Sequence, residues 1–145
     1  AWRLLYWRGL ATVAEPLLFV LHLAYAGIAI GYLLTAAAVF GWGVPATAAL
    51  HALTVGGVTF MILAVSTRVA LAHTGRSLRA APLTVLAYGL LIVAAVVRVA
   101  SPFGSAYMSL LDIAASAWVL SFAIFLWVYI PVLLGPHMSA ASEED

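Results

Sequence analysis

An uncharged stretch of unusual length dominates this sequence. No Asp, Glu, Lys or Arg occurs between Glu15 and Arg68, in residues 16–67. A helix needs about 20 apolar residues to cross a bilayer, so this stretch holds two crossings. Of the whole chain, 66% is hydrophobic and 8% charged, whereas an ordinary globular domain has about a quarter charged residues. We therefore expect an all-α integral membrane protein.

The remaining composition excludes several classes of function. A formal net charge of +1 is too small for the basic surface that binds nucleic acid, so no nucleic-acid partner is expected. The chain has no cysteine, which excludes disulfides, thiolate metal sites and iron–sulfur clusters. Any metal must be bound by His, Met or carboxylate ligands. The expected partners are the lipid bilayer and further membrane helices of the same or another protein.

Proline, glycine and charged residues divide the chain into four spans, which are predicted to form a single transmembrane bundle. The predicted spans cover about 16–40, 45–72, 82–97 and 109–134. The breaks between them are Gly41-Trp42-Gly43, the basic stretch from His73 to Arg79, and the segment after Arg98. The chain starts at Ala1 with no cleavable signal before the first span, so we expect a piece of a longer product.

The arginines predict the orientation of the bundle. Arg3 and Arg8 precede span one, and Arg76 and Arg79 lie between spans two and three. The loop around Trp42 has no basic residue. Because basic loops stay on the cytoplasmic side, both termini are predicted to be cytoplasmic.

Small residues in the spans indicate where helices could pack closely. Gly27 and Gly31 form a GxxxG pair on span one, and Gly56-Gly57 give span two a position without side chains. Small residues let helix backbones approach each other in lipid. Alanine-rich spans also contain such pairs by chance, so the pattern alone leaves both interpretations open.

A polar stripe is predicted along span two. Thr59, Ser66 and His73 are seven residues apart, and His51 falls on the same side of a regular helix. A polar stripe facing lipid would be costly, so it should face the bundle interior or a partner. For Thr59 and Ser66 taken alone, hydrogen bonding between helices is the favoured explanation.

Histidine is the candidate metal ligand, because neutral imidazole is a common ligand and is rarely placed in a membrane helix for packing. His51 lies about two turns inside the Trp42 end of span two. His73 is about 33 Å further along, so the two cannot share an ion. His22 lies in the other half of the membrane and is either a ligand, a functional hydrogen-bonding group or a core residue. His73 could also cap its helix, and His137 is expected to be exposed at the interface.

The charges near the spans have fewer candidate roles. Arg68 either reaches the lipid headgroups or binds the acidic group of a cofactor. Arg98 and Asp112 flank the loop between spans three and four and are predicted to form an ion pair. No catalytic triad, phosphate-binding loop or pair of acid and base carboxylates occurs, so no catalytic residue is assigned.

Several motifs resemble a known family of membrane proteins. The segments Glu15–Leu18 and Leu21–Tyr25, the segment His51–Gly57, and the pair Thr67–Leu71 and His73–Arg76 look like the signatures of the NnrS family. They occur in the same order and at similar spacing, and the resemblance runs from about Trp7 to about Pro136.

This resemblance implies a multi-pass protein of the bacterial inner membrane that binds haem, expected to be of the b type, and copper. It implies a role in nitric oxide metabolism and resistance to nitrosative stress. By this likeness His51, His22, His73, Arg68 and Arg76 are the expected cofactor-binding residues, with His51 and His22 as the metal ligands. Members with about twelve spans are expected, so this chain would be their C-terminal third.

His137 departs from the family pattern, because a basic residue is expected at its position. No ligand role is therefore assigned to it. Two hypotheses follow for the whole chain: a haem-binding or metal-binding module connected with nitric oxide, or a structural or assembly subunit of a larger membrane complex with no cofactor of its own. A Soret band in the purified protein would favour the first.

The charge pattern yields a testable topology. A reporter fused after Gly135 should be active on the cytoplasmic side, whereas the same reporter in the loop at Trp42 should be active on the outer side. Cysteine labelling checks both positions independently. A tail that is labelled from outside would contradict the predicted orientation.

Overall fold

The computed structural model describes residues 9–138, apart from the side chain of Leu10. These residues form four long helices and no strand. The helices are α1 (Pro16–Val39), α2 (Ala46–His73), α3 (Pro82–Ala100) and α4 (Tyr107–Leu134). Short 3-10 turns lie at Gly9–Thr12 and Ser101–Phe103. Each long helix is apolar enough to span a membrane, so the prediction of an all-α protein with four such helices is confirmed.

Proline and glycine set the ends of these helices. Pro16 and Pro82 occupy first-turn positions, where a missing N–H costs no hydrogen bond. α1 and α2 end in the same way, with Gly41 at φ 71° and Gly75 at φ 69° just beyond the last turn. In each case the next residue donates its N–H back to the last turn, which is a Schellman motif.

The chain order gives the bundle two distinct ends. The end that carries the start of α1, the α2–α3 loop and the end of α4 is called the basic end here, because Arg76 and Arg79 lie there. The opposite end, with the α1–α2 and α3–α4 loops, is called the Trp42 end. Exposed Phe40 and Trp42 stack at this end with ring centroids 5.7 Å apart.

α3 is longer than predicted. The span was expected to stop at about residue 97, before the charge of Arg98, but the helix continues to Ala100. Arg98 donates a hydrogen bond to the Ser101 hydroxyl over 2.9 Å, which lets the guanidinium remain within the last turn. α4 begins at Tyr107, close to the expected start.

α2 is not a regular α-helix. Its middle part, Ala52–Thr59, is a π-helical segment of 8 residues between two α-helical parts, Ala46–His51 and Phe60–His73. A π-helix has i→i+5 hydrogen bonds and therefore more residues per turn than an α-helix. The segment contains Gly56 and Gly57, and it starts directly after His51.

The predicted glycine contact between spans one and two is present. A Cβ on Gly27 would overlap the carbonyl oxygen of Gly56, and a Cβ on Gly31 would lie 2.7 Å from the Leu53 Cα. On the facing side, a Cβ on Gly57 would lie 2.7 Å from Ile28 Cγ1. The backbones of α1 and the π-helical segment thus touch directly, and this contact fixes the antiparallel register of the two helices.

α2 packs against α1 on one side and also contacts α3 and α4, which pack on each other. Buried hydroxyl groups connect the three helices. Thr67 and Tyr88 share a hydrogen bond of 2.5 Å between α2 and α3. Between α3 and α4, Ser121 donates to the Ala87 carbonyl over 2.8 Å, and the hydroxyls of Thr84 and Tyr129 are 3.2 Å apart.

The predicted polar stripe of α2 does not face the interior as a unit. His51, Thr59 and Ser66 are half-buried and His73 is exposed, whereas Thr67 is completely buried. The prediction assumed a constant 100° per residue. The π-helical segment lies between His51 and Ser66, and each of its residues turns the chain by less than 100° about the helix axis. Beyond the segment, the face of α2 that is buried therefore contains Thr67.

Replacing Gly27 by Ala should destabilise the bundle by about 1–3 kcal/mol, because the new methyl group forces two backbones apart. Gly56→Ala is the matched control. A Cβ there meets only Ala95, at an ordinary 3.9 Å, so little change is expected. Thermal unfolding of both variants in the same detergent provides the measurement. Equal effects of the two substitutions would contradict the close contact.

The hydroxyl pair Thr67 and Tyr88 should couple energetically. A double-mutant cycle with Thr67→Val and Tyr88→Phe should give a coupling of about 0.6 kcal/mol, and at most ~1.7 kcal/mol, as for hydrogen bonds between other membrane helices. Unfolding in a denaturing detergent titration measures it. The pair Thr84→Val and Tyr129→Phe, with its longer 3.2 Å contact, should couple less. Additive effects at Thr67 and Tyr88 would show that their bond contributes no net stability.

Candidate functional site

His51 occupies the last α-helical turn before the π-helical segment of α2. Its Nδ1 lies 2.7 Å from the Thr47 carbonyl oxygen. A carbonyl can only accept, so Nδ1 carries the proton, and in the neutral imidazole Nε2 then holds the lone pair. This is the arrangement found in metal-binding histidines, where a hydrogen bond on one ring nitrogen orients the other toward the metal.

A cavity of about 230 Å³ lies beside His51, between α2, α3 and α4 at the Trp42 end. Its walls are mostly apolar and include Val55, Ala94, Leu111 and Trp118. His51 and Arg98 also line it. The cavity thus has a histidine and an arginine beside mostly apolar walls.

Arg98 does not form the predicted ion pair with Asp112. Its guanidinium donates to Ser101 and lies 5.9 Å from the centre of the Tyr107 ring. Ser101 in turn donates to the Arg98 carbonyl, and Asp112 is exposed. Partners within three residues and an adjacent aromatic ring already stabilise this charge, while Asp112 points to the outside of α4.

His22 lies near the basic end of α1 and has a different environment. Its Nδ1 is 2.9 Å from the Leu18 carbonyl oxygen, in the same manner as His51. The 3-10 turn Gly9–Thr12 covers the ring, since a Cβ on Gly9 would lie 3.0 Å from its Cδ2. His22 also takes part in a further interaction beyond these. It is therefore packed under the N-terminal segment and does not border the His51 cavity.

The two predicted metal ligands are not brought together. Gly31 lies opposite Leu53, and the helices are antiparallel, so residue 33 of α1 lies level with His51. His22 is eleven residues from that level, about 16 Å along the bundle. Among residues 9–138 no group of three or more His, Cys, Asp or Glu side chains could hold a metal ion.

The other predicted cofactor-binding residues lie toward the basic end. His73 is the exposed last residue of α2, and Arg68 is half-buried one turn earlier. Arg76 is half-buried in the following loop, and its Nε is buried without a hydrogen-bond partner. These side chains are separated from His51 by most of the length of α2. The five predicted residues thus divide into His51 at the Trp42 end and the other four in the half of the bundle toward the basic end.

Sequence reasoning missed two residues of the His51 cavity. Arg98 was assigned only to an ion pair, and Trp118 on α4 was not considered as part of a site. The charge of Arg98 directly after a predicted span was the available signal, but its neighbours on α2 and α4 depend on how the helices pack.

Comparison with known proteins provides the family. No curated protein and no solved structure matches the chain. The family model described as NnrS protein matches residues 1–137, which is nearly the whole chain. The match includes the α2 segment with His51 and its π-helix, both ends of the bundle, and the loop with Arg76. The chain belongs to the NnrS protein family.

Proposed function

We propose that this chain is a haem-binding or metal-binding membrane module with a role in nitric oxide metabolism or in resistance to nitrosative stress. Family membership supports the link with nitric oxide. The observation that carries the binding proposal is the geometry of His51, whose Nδ1–H is held by the Thr47 carbonyl, so that Nε2 holds the lone pair, and which lines an apolar cavity. His51 is the proposed ligand of the metal.

The donor chemistry of the site fits a haem iron or a copper ion. Imidazole nitrogen suits both metals, and apolar walls with few polar groups are typical of cofactor sites. When bound, such a metal supplies a position that can bind a small gas molecule. Arg98, at the edge of the same cavity, would hold an acidic group of the cofactor or an anionic ligand near the metal.

The size of the cavity limits what this chain holds by itself. Pockets that enclose a drug-sized molecule measure about 300–1,000 Å³, and the His51 cavity measures about 230 Å³. It accommodates a bound metal with a small ligand, or one edge of a porphyrin. A whole haem would need a second protein surface against α2 and α4, so this chain would provide His51 as one ligand and the cavity as one wall.

The second candidate function is that of a structural subunit without a cofactor. The observation in its favour is that little of each span is buried inside this bundle. In the most apolar 18-residue stretch of each helix, 17% of the residues are buried in α4 and 39% in α2. Helices with this much free surface can pack against other membrane proteins. The absorption spectrum and a metal analysis of the purified protein together separate the two functions, since the structural subunit would show neither a Soret band nor bound metal.

His51→Ala should remove most of the haem or copper bound per protein, because it deletes the only nitrogen ligand on the cavity. The change should cost about 1 kcal/mol or less in stability, since one exposed hydrogen bond is lost. Metal analysis, the Soret absorbance and thermal unfolding measure these effects. His22→Ala and His73→Ala, which also each remove one imidazole, are the matched controls. Unchanged cofactor content in His51→Ala, with a loss in either control, would move the assignment to that histidine.

A further inference from the structure

A second cavity, of about 460 Å³, lies at the basic end and is unrelated to His51. One side of it is polar and is formed by Arg76, Ser77 and Arg79 in the α2–α3 loop. The other side is apolar and includes Leu71 on α2 and Val128 and Val132 on α4. The cavity is therefore amphipathic, with cations at the end of the bundle and hydrocarbon along the helices.

The backbone fixes Arg76 at this cavity. Arg76 follows the Schellman glycine of α2 and donates its N–H to the Leu71 carbonyl over 3.0 Å. The residue before it, Gly75, touches the backbone carbonyl of Met138, and Met138 donates its own N–H to the Thr74 carbonyl over 3.0 Å. The loop is thus tied to the segment after α4, and the base of the Arg76 side chain has a defined position.

One nitrogen of the Arg76 guanidinium lacks an acceptor. Its Nε is buried and has no hydrogen-bond partner, and a buried donor of a charged group that remains unpaired is costly. A second cation, Arg79, lines the same cavity, and so does Ala81 at the positive N-terminal end of the α3 dipole. The described carboxylates are Glu15 and Asp112, and neither lines the cavity. An anionic ligand with several oxygens would satisfy all three groups.

We propose that this cavity binds the phosphate diester headgroup of an anionic phospholipid. Arg76 and Arg79 bind the phosphate oxygens, and the wall of Leu71, Val128 and Val132 contacts the start of an acyl chain. Guanidinium groups bind phosphate through paired N–H donors. Basic pockets between membrane helices at the headgroup level are suited to anionic lipids, and the basic end is the predicted cytoplasmic side.

This site is independent of a cofactor at His51. The distance along the helix axis between His51 and His73 is about 33 Å if α2 is counted as a regular α-helix. Arg76 lies beyond His73. A haem bound by His51 therefore cannot place its propionates on Arg76. The lipid proposal and the proposed function can consequently fail separately.

Native mass spectrometry of the delipidated full chain tests the proposal. Dioleoyl-phosphatidylglycerol should bind about tenfold more tightly than dioleoyl-phosphatidylcholine, whose choline repels the arginines. Arg76→Gln should weaken phosphatidylglycerol binding about tenfold, the effect of losing one charge-assisted contact. Arg76→Lys keeps the charge but not the planar fork and should give a smaller loss. Arg98→Gln removes one charge at the Trp42 end and should leave the affinity unchanged.

Several outcomes would overturn the proposal. One is equal binding by wild type and Arg76→Gln, and another is an equal loss in Arg98→Gln, which would mean an unspecific charge effect. Displacement of the lipid by millimolar inorganic phosphate would assign the site to a free phosphate, and loss of haem from Arg76→Gln would assign it to a propionate. If thermal unfolding shows that Arg76→Gln does not fold, Arg79→Gln, at an exposed position, must show a several-fold loss instead.

Discussion

Backbone atoms of α1 and α2 touch at Gly27 and Gly31, and the rest of the bundle is arranged around this contact. Apolar side chains gain little from each other in lipid, because the acyl chains are as apolar as they are. Close backbone approach instead gives dispersion contacts that lipid cannot match. The same contact sets the register of α1 against α2, and so determines that His22 and His51 lie at different depths.

The π-helical segment lies at this contact. It spans Ala52–Thr59, the part of α2 that faces the glycines of α1, and it contains Gly57, whose missing side chain makes room for Ile28. The extra residues per turn change which side of α2 faces inward before and after the segment. His51 therefore lines a cavity toward α3 and α4, while Thr67 further along is buried against Tyr88. Since π-helical segments often occur at functional sites, its position directly after His51 is consistent with the proposed ligand role.

The sequence was sufficient for those features that depend on hydropathy and on single residues. Runs without charge predicted the four helices, and Pro16, Gly41, Pro82 and Gly75 lie at their ends. The glycine pair of α1 was recognised as a possible contact. What could not be predicted was the phase of α2, because a periodicity of 3.6 residues was assumed through a segment that does not follow it. The contacts of Arg98 with Ser101 and Tyr107 could not be predicted either. Whether Arg98 contacts these two residues or Asp112 depends on where α3 ends and where α4 begins.

The polar residues of the bundle separate by the kind of ligand that they can hold. At the Trp42 end, one imidazole lies on an apolar cavity, with a single guanidinium that already has a hydroxyl and a ring as partners. At the basic end, two guanidiniums border a larger cavity and a buried Nε lacks a partner. A metal requires a lone pair, which His51 provides and arginine cannot, because guanidinium stays protonated. An oxyanion requires donors, which Arg76 and Arg79 provide. The fold thus keeps His51 and the pair Arg76 and Arg79 in opposite halves of the bundle, so the cofactor proposed for one and the lipid proposed for the other would not compete for the same side chains.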